Sequence, residues 1–384
     1  MSCLILKGLH STSNKSSVYF GTNSLNRHSF LRSDPTFIAN AIISPYSKYI
    51  FYKKLSPYVD IEQNKLFTLN YNTIGLSNRK IIDDWIKNNE LKSIKIHELP
   101  LIHFLGLDVS KKNQSFKYNE YSGIPYFAID ITNHNSLISQ IELQNPNLKT
   151  LSTRELINKH IGYKESNIFA QGRMFLQWLS STKYCQGCGS KTIPINAGSE
   201  LLCSSSKEFN CPVKNSSNPS NASHPRIDPV LITCVLNSNR DKVLFTRSSQ
   251  LKKYYTNIAG FIEPAETIEE AVKREVWEES GLYVSQVKII KSQPWPYPAN
   301  LMIGCIGIVD SNNNNVENQD FNLNHDKELI EAKWVKIGKL KEIITYGKEN
   351  EDSIIRVDGE LNGIPNEKTI AYQLFKHVVN TYNL

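Results

Sequence analysis

With 384 residues the chain can bury at least one full core and is long enough for two domains. Its 44 basic and 37 acidic residues leave a formal charge of +7, which helps attract an anionic small substrate or RNA but defines no nucleic-acid track. No apolar run approaches eighteen residues, so no helical membrane insertion is expected.

Residues 1–30 are rich in serine, asparagine and lysine and are expected to be poorly ordered. The opening MSCLILKGLHSTSNKSS has an apolar patch and basic residues without the long apolar core of a secretory signal. From 31 to 165, short apolar runs alternate with turns, which predicts an α+β domain. TFIANAIISP and KYIFYKK read as strands or short helices, and RKIIDDWIKN as the start of a helix. LIHFLGLDVS (101–110) and IPYFAIDIT (124–132) read as strands on either side of a polar hairpin loop. His103 and Asp108 fall in or beside that strand pattern, where a structural role is expected. KTLSTRELINKH and ESNIFAQGRMFLQWLSSTKYC are helical. Ile168, Phe169, Met174, Phe175, Trp178 and Leu179 recur at mainly helical spacing, suited to packing two domains or two subunits together.

Cys185 and Cys188 lie in CQGCGS, Cys203 follows after fourteen intervening residues, and Cys211 after seven more. A CxxC knuckle aims two thiolates at one point, and a second pair can close a tetrahedron around zinc, giving a structural site. A redox CxxC pair and unconnected thiols are the alternatives. The segment 184–212 has few large apolar residues, so bound metal would supply its folding free energy. Beyond it runs a serine- and asparagine-rich loop, 204–224, expected to be flexible in its second half. Cys3, Cys234 and Cys305 are scattered, the latter two as small hydrophobes in strand-like runs.

From 224 onward strands and helices alternate. IDPVLITCVLNS, NRDKVLFTRSSQ and KKYYTNIAGFI bring strands up to the acidic stretch GFIEPAETIEEAVKREVWEESGL (260–282). Thr267 and Glu270 form a capping box and Gly281 supplies the stop, which predicts a helix from Ile268 to Ser280. Ile268, Ala271, Val272 and Val276 give it one buried stripe. On another face Glu275 stands one turn before Glu278 and Glu279. Such pairs cost a helix roughly 0.2–0.5 kcal/mol each and repel unless a cation sits between them. Carboxylate oxygens suit magnesium or manganese, which in turn hold phosphate oxygens; a merely solvated acidic face is the alternative. Arg274 is expected to pair with Glu270. Next comes SQPWPYPAN (292–300), whose alternate prolines stiffen a turn and hold Trp295 and Tyr297 out as a wall for a base, although such turns also cap cores. EAKWVKIGKL reads as a strand leading into a turn, and NEKTIAYQLFKHVVNTY as the final helix. A mixed sheet between helices follows, with the acidic helix on one face. No GxxxxGK loop is present, which argues against an ATPase.

The acidic stretch resembles the Nudix box, G-x5-E-x7-R-E-U-x-E-E-x-G-U with U apolar. Gly260, Glu266, Arg274, Glu275, Val276, Glu278, Glu279, Gly281 and Leu282 meet its fixed positions. SQPWPYPAN is similar to the SQPWPFP motif of the NADH pyrophosphatase subgroup, and LGLD…YFAID, the four cysteines, HPRIDP and TIA match that subgroup in order. The resemblance implies a C-terminal Nudix α/β/α sandwich over 224–384, preceded by a linking helix and zinc ribbon (166–223) and the α+β domain (31–165). It implies hydrolysis of NADH to reduced nicotinamide mononucleotide and AMP, with NAD+ used less efficiently. Removal of an NAD cap from RNA, or broader hydrolysis of ADP-ribose or diadenosine polyphosphates, is the alternative.

Carried over residue by residue, Glu275, Glu278 and Glu279 match the glutamates that bind Mg2+ or Mn2+, and Arg274 the arginine that orients them. Glu328 matches the downstream glutamate, in preference to Glu331 on the opposite strand face; Glu278 or Glu328 serves as base. Phe261 falls where a ring meets the base, Ser292, Gln293, Trp295 and Tyr297 belong to the substrate motif, and Ala371 aligns with a backbone contact. Zinc is implied at Cys185, Cys188, Cys203 and Cys211. A homodimer is expected, as is peroxisomal import through its receptor, Tyr382-Asn383-Leu384 being a degenerate address; the cytoplasm is the other location. Ala265, where many members carry glycine, and His224, where the subgroup has tyrosine, depart from the pattern.

Overall fold

The computed structural model describes residues 18–22, 24–110, 114–158, 161–206, 211–215, 224–249, 254–310, 321–349, 354–356 and 363–382. Among these residues no helix is long and apolar enough to cross a membrane. The expectations for residues 1–17, for the second half of the serine-rich loop and for Asn383 and Leu384 lie outside the described residues.

TFIANAIISP is helical. The Asp34 carboxylate accepts from the Phe37 N–H at 3.0 Å, and Pro35 occupies a first-turn position whose missing N–H costs nothing, so α1 runs Pro35–Ile43. Strands β1 (Lys48–Lys53), β2 (Ser56–Asp60), β3 (Lys65–Leu66) and β4 (Thr68–Leu69) follow, then α2 (Leu76–Glu90). Next come β5 (Leu101–Asp108), β6 (Phe116–Tyr118), β7 (Tyr121–Asp130), α3 (Asn135–Gln144), β8 (Leu148–Thr150) and α4 (Thr153–Asn158). The sheet order is β3-β2-β1-β7-β5, with β1 and β7 parallel.

Alternation along β1 divides the core in two. Tyr49 and Phe51 pack with Phe37, Phe104 and Phe127 on the side of α1. Ile50 and Tyr52 pack with Leu105, Ala128 and the long helix α5 (Tyr163–Ser181) on the other. As expected, His103 is structural: it is fully buried, stacked 3.6 Å from Phe175, and donates from Nδ1 to the Ala197 carbonyl at 3.1 Å.

One expectation is corrected in this half. Of the stretch 1–30, Tyr19 and Phe20 are 2% and 1% exposed, inserted among α5 side chains, because two adjacent aromatic rings bury more apolar surface than the polar residues around them forfeit.

A small lobe follows, with the antiparallel pair β9 (Thr192–Ile195) and β10 (Glu200–Cys203) and a short helix, α6 (Pro212–Asn215). The C-terminal part is built on β11 (Asp228–Leu236), β12 (Lys242–Ser248), β13 (Ile258–Phe261), β14 (Val284–Trp295), β15 (Asn300–Val309) and β16 (Leu329–Lys336). The order is β14-β15-β11-β12-β16, with β13 on β11; β11 and β15 are parallel and the other pairs antiparallel, a mixed sheet as expected.

Both faces of β11 are buried. Leu231 and Val235 meet Ala271, Val272 and Val276 of α7 (Ile268–Ser280). Ile232, Cys234 and Leu236 meet α8 (Ile337–Tyr346) and the last helix, α9 (Ile370–Tyr382). The α8 helix corrects the turn expected after β16: Ile337, Leu340 and Ile343 recur every three residues and are buried. Three short strands, β17 (Lys348–Glu349), β18 (Ile354–Arg356) and β19 (Ile364–Pro365), form a small sheet that the sequence reading lacks.

Candidate active site

Helix α7 has the predicted bounds, with the Thr267 half of the capping box and the Gly281 stop in place. The Thr267 hydroxyl accepts from the Glu270 N–H, and Gly281 closes the helix at φ 73°. Arg274 binds differently from expectation. Instead of Glu270, which pairs with Lys273 at 2.7 Å, it takes Glu266 through Nε and Nη2 at 2.8 and 2.9 Å. The planar fork matches a carboxylate that the preceding loop presents side-on, a geometry an i,i+4 helix neighbour does not offer. Its Nη1 also donates to Glu275 at 2.8 Å and Glu278 at 3.0 Å, and Nη2 to the Phe261 carbonyl at 2.9 Å. One guanidinium therefore ties the loop, the helix and strand β13 together. Ala265 keeps that loop's turn with φ 65°, in the left-handed region usually left to glycine.

Glu279 is the buried acid of the helix and Glu275 is partly buried. Glu279 is 4% exposed, and burial, then the charges of Glu275, Glu328 and Asp326, push its carboxyl up to about 9. Burial also raises Glu275, against the pull of Arg274. Two carboxylates held at such cost have the electrostatics of a cation site. Gly260 makes room for it: a Cβ there would stand 2.0 Å from the Glu275 carboxyl carbon. Oxygen donors, mutual repulsion and this cleared space fit a hard divalent ion such as Mg2+ or Mn2+.

Glu328 joins from the segment before β16. The Asn322 N–H donates to the Ser280 carbonyl at 3.0 Å, His325 bonds the Trp277 carbonyl at 3.3 Å, and Asp326 accepts from the Glu328 N–H at 3.0 Å. These contacts pin the segment to the C-terminal end of α7. Glu331, on the other face, is spent on Arg247 and on the Tyr255 hydroxyl at 2.6 Å.

Aromatic side chains share a pocket with two of the acids. It has a volume of about 440 Å³ and is lined by Phe261, Arg274, Glu275, Glu328, Trp295, Tyr297, Asn300 and Met302 among others. Phe261 is 58% exposed, a large ring left outside the core at the pocket. Among the described residues, Tyr297 Oη and Asn300 Oδ1 are buried without a hydrogen-bond partner.

Three residues expected on the substrate side do not line this pocket. Gln293 is corrected to an internal brace: it is fully buried, its Nε2 donates to the carbonyls of Tyr19 at 3.0 Å and Lys368 at 2.8 Å, and its Oε1 accepts from the Ile370 N–H at 2.7 Å. Strand alternation turns it toward the start of α9. Ala371 is buried with its carbonyl taken by Asn257 at 3.2 Å, and Ser292 is exposed on the strand face opposite Gln293. Asn300 and Met302 carry little signal in the sequence: Asn300 closes the proline motif and Met302 lies two residues on, on the same face of β15.

The four cysteines do come together. Cys185, Cys188, Cys203 and Cys211 have sulfurs within 4.8 Å of one another, with Cys185 to Cys211 at 3.7 Å and Cys188 to Cys203 at 3.4 Å. Tetrahedral zinc with thiolates at about 2.3 Å spaces them about 3.8 Å apart, so these side chains fit it. Gly189, at φ 72°, donates to the Cys185 carbonyl at 2.8 Å and closes the knuckle.

A NUDIX domain model matches residues 228–356. The chain is 33% identical over 380 residues to the NAD-capped RNA hydrolase NPY1 of Saccharomyces cerevisiae, spanning 95% of this chain and 96% of that protein. It is 33% identical over 307 residues to an NAD-capped RNA hydrolase of Schizosaccharomyces pombe, 77% and 78% of the two chains. Against the NAD-capped RNA hydrolase NUDT12 of Homo sapiens it is 30% identical over 376 residues, 94% and 72% of the two.

Proposed function

Because this chain belongs to the Nudix hydrolases, we propose that it splits the pyrophosphate of a nicotinamide dinucleotide, both at the 5′ end of NAD-capped RNA and in free NADH. The observation that carries this reading is a single pocket lined both by the carboxylates of Glu275 and Glu328 and by the rings of Phe261, Trp295 and Tyr297, the two kinds of group that a pyrophosphate with an attached base calls for. Relatives named NAD-capped RNA hydrolases favour the capped RNA, whereas SQPWPYP favours NADH among free dinucleotides.

Water attacks one phosphorus, the bridging P–O bond breaks, and two monophosphates leave: reduced nicotinamide mononucleotide and AMP from NADH, or nicotinamide mononucleotide and 5′-monophosphate RNA from the capped transcript. Glu275, Glu279 and Glu328, with Glu278 beside them, would hold Mg2+ or Mn2+, which when bound supplies charge neutralisation at the phosphates and a more acidic water. Glu278 or Glu328 receives the proton of the attacking water. Arg274 keeps Glu275 and Glu278 aimed, and Phe261 with Trp295 and Tyr297 flanks the base. Zinc at the four cysteines holds the lobe folded. Homodimerisation and peroxisomal import belong to the same proposal, tested by mass in solution and by deleting the last three residues.

The deciding experiment is a product assay on NADH, NAD+, ADP-ribose and NAD-capped RNA with Mg2+ and Mn2+. Cleavage of NADH and capped RNA ahead of ADP-ribose is expected. Equal cleavage of unrelated nucleoside diphosphates would overturn the substrate class.

A further inference from the structure

We propose that Phe20 and Arg173, both outside the pocket, are positioning residues that hold the Trp295–Tyr297 wall against the substrate and thereby set how tightly the site binds it. The inference rests on the reading of the pocket given above.

Prolines stiffen the PWPYP turn without fixing where it lies. Its place is set from the N-terminal domain. The Phe20 ring meets Trp295 at 5.8 Å and Tyr297 at 6.1 Å, both edge-on, with Phe169 of α5 at 6.1 Å. The backbone of Phe20 is clamped: its N–H donates to the Ser166 hydroxyl at 3.1 Å and its carbonyl accepts from Asn167 at 2.7 Å. Next to it Tyr19 donates to the Leu156 and Ile161 carbonyls, each at 3.2 Å, and accepts from Gln293 of the motif itself. Gly21 completes the fit, since a Cβ there would lie 3.0 Å from the Pro294 ring. Residues 19–21 and the proline motif are therefore packed as one unit.

Arg173 fastens the other side. Nε donates to the Pro296 carbonyl at 2.7 Å and Nη1 to the Leu55 carbonyl at 2.6 Å, with the guanidinium 5.1 Å from the Tyr297 ring centroid. One planar side chain thus joins the β1–β2 turn to the wall, a geometry that lysine cannot reproduce. Neither residue lines the pocket, so any effect on substrate passes through Trp295 and Tyr297.

The test is a double-mutant cycle on the full chain, read as KM and kcat for NADH with Mg2+ and accompanied by thermal melting. Phe20→Ala is expected to raise KM about tenfold, as loss of two aromatic pairs implies, with kcat within about twofold. In a Trp295→Ala/Tyr297→Ala background the same substitution adds nothing further. Arg173→Lys raises KM several-fold in the wild-type background alone. Should Phe20→Ala not fold, Phe20→Leu and Arg173→Lys complete the cycle. An unchanged KM, or losses that add fully in the wall-less background, overturns the proposal while leaving the enzyme assignment intact. A wild-type protein that cleaves neither NADH nor capped RNA sinks the assignment and this inference together.

Discussion

The thiol lobe and the acidic pocket are built on opposite plans from equally good metal ligands. In the lobe four sulfurs close to within 4.8 Å, and among the described residues no other group of three or more ligating side chains does so. In the pocket Arg274 draws Glu275 and Glu278 to one side, while Glu328 comes from a separate segment and lines the same space. A closed set spends its binding energy on folding; an open one leaves coordination positions for substrate. Spacing along the chain marks candidate ligands, whereas whether they close is decided by what else holds them.

The largest effect expected from breaking that contrast is in the lobe. Cys185→Ser should lose the bound zinc, forfeiting on the order of 10 kcal/mol of metal-binding free energy. Elemental analysis should find one zinc per wild-type chain and none in the variant, with a lower melting temperature; intact wild-type protein free of zinc would refute the closed plan. In the acidic cluster, removing one carboxylate should spare the fold. Glu279→Gln is expected to reduce turnover on the order of 10³-fold with metal-free melting unchanged or raised, because a buried, repelled carboxyl is replaced by a neutral amide. Near-normal turnover would remove Glu279 from the metal shell.

A pH series sharpens the same point. Glu279 titrates at about 9 when folded, against an ordinary value of 4.5. The folded state therefore keeps a proton that the unfolded chain has lost. Its stabilising contribution is complete below about 4.5, declines as pH rises, and is gone above about 9. Metal-free protein should melt progressively lower between pH 5 and 9, and Glu279→Gln should flatten that slope; an unchanged slope would contradict the assigned burial. The smallest effect is expected at the loop. Ala265→Gly relieves a left-handed alanine and should stabilise by about 0.5–1 kcal/mol by chemical denaturation, since the strain of about 1–2 kcal/mol exceeds the entropy cost of glycine.

What could be read from sequence follows the range of the interactions. Helix α7 was legible to its ends because Thr267, Glu270 and Gly281 act within a few residues of the termini they set. The four thiols were legible because a knuckle is local. The carboxylate that Arg274 takes is not legible, since i,i+4 spacing carries no information about a loop side chain folded back across the helix. Gln293 and Phe20 were missed as braces for the same reason. Their partners lie at Tyr19, Ile370 and Trp295, far away along the chain, and neither a polar motif residue nor a single pair of adjacent aromatic residues has a periodicity to reveal its burial.

Gly260 has a use beyond tolerating its neighbour. The atoms that an added methyl would strike are the terminal atoms of the Glu275 side chain, which can swing away at little expense to the backbone. Gly260→Ala would then yield a decoy: a chain with every acidic residue retained and its architecture preserved, yet with one carboxylate evicted from its post. Such a variant separates possession of the right functional groups from their arrangement, and it could trap bound substrate intact for structure determination.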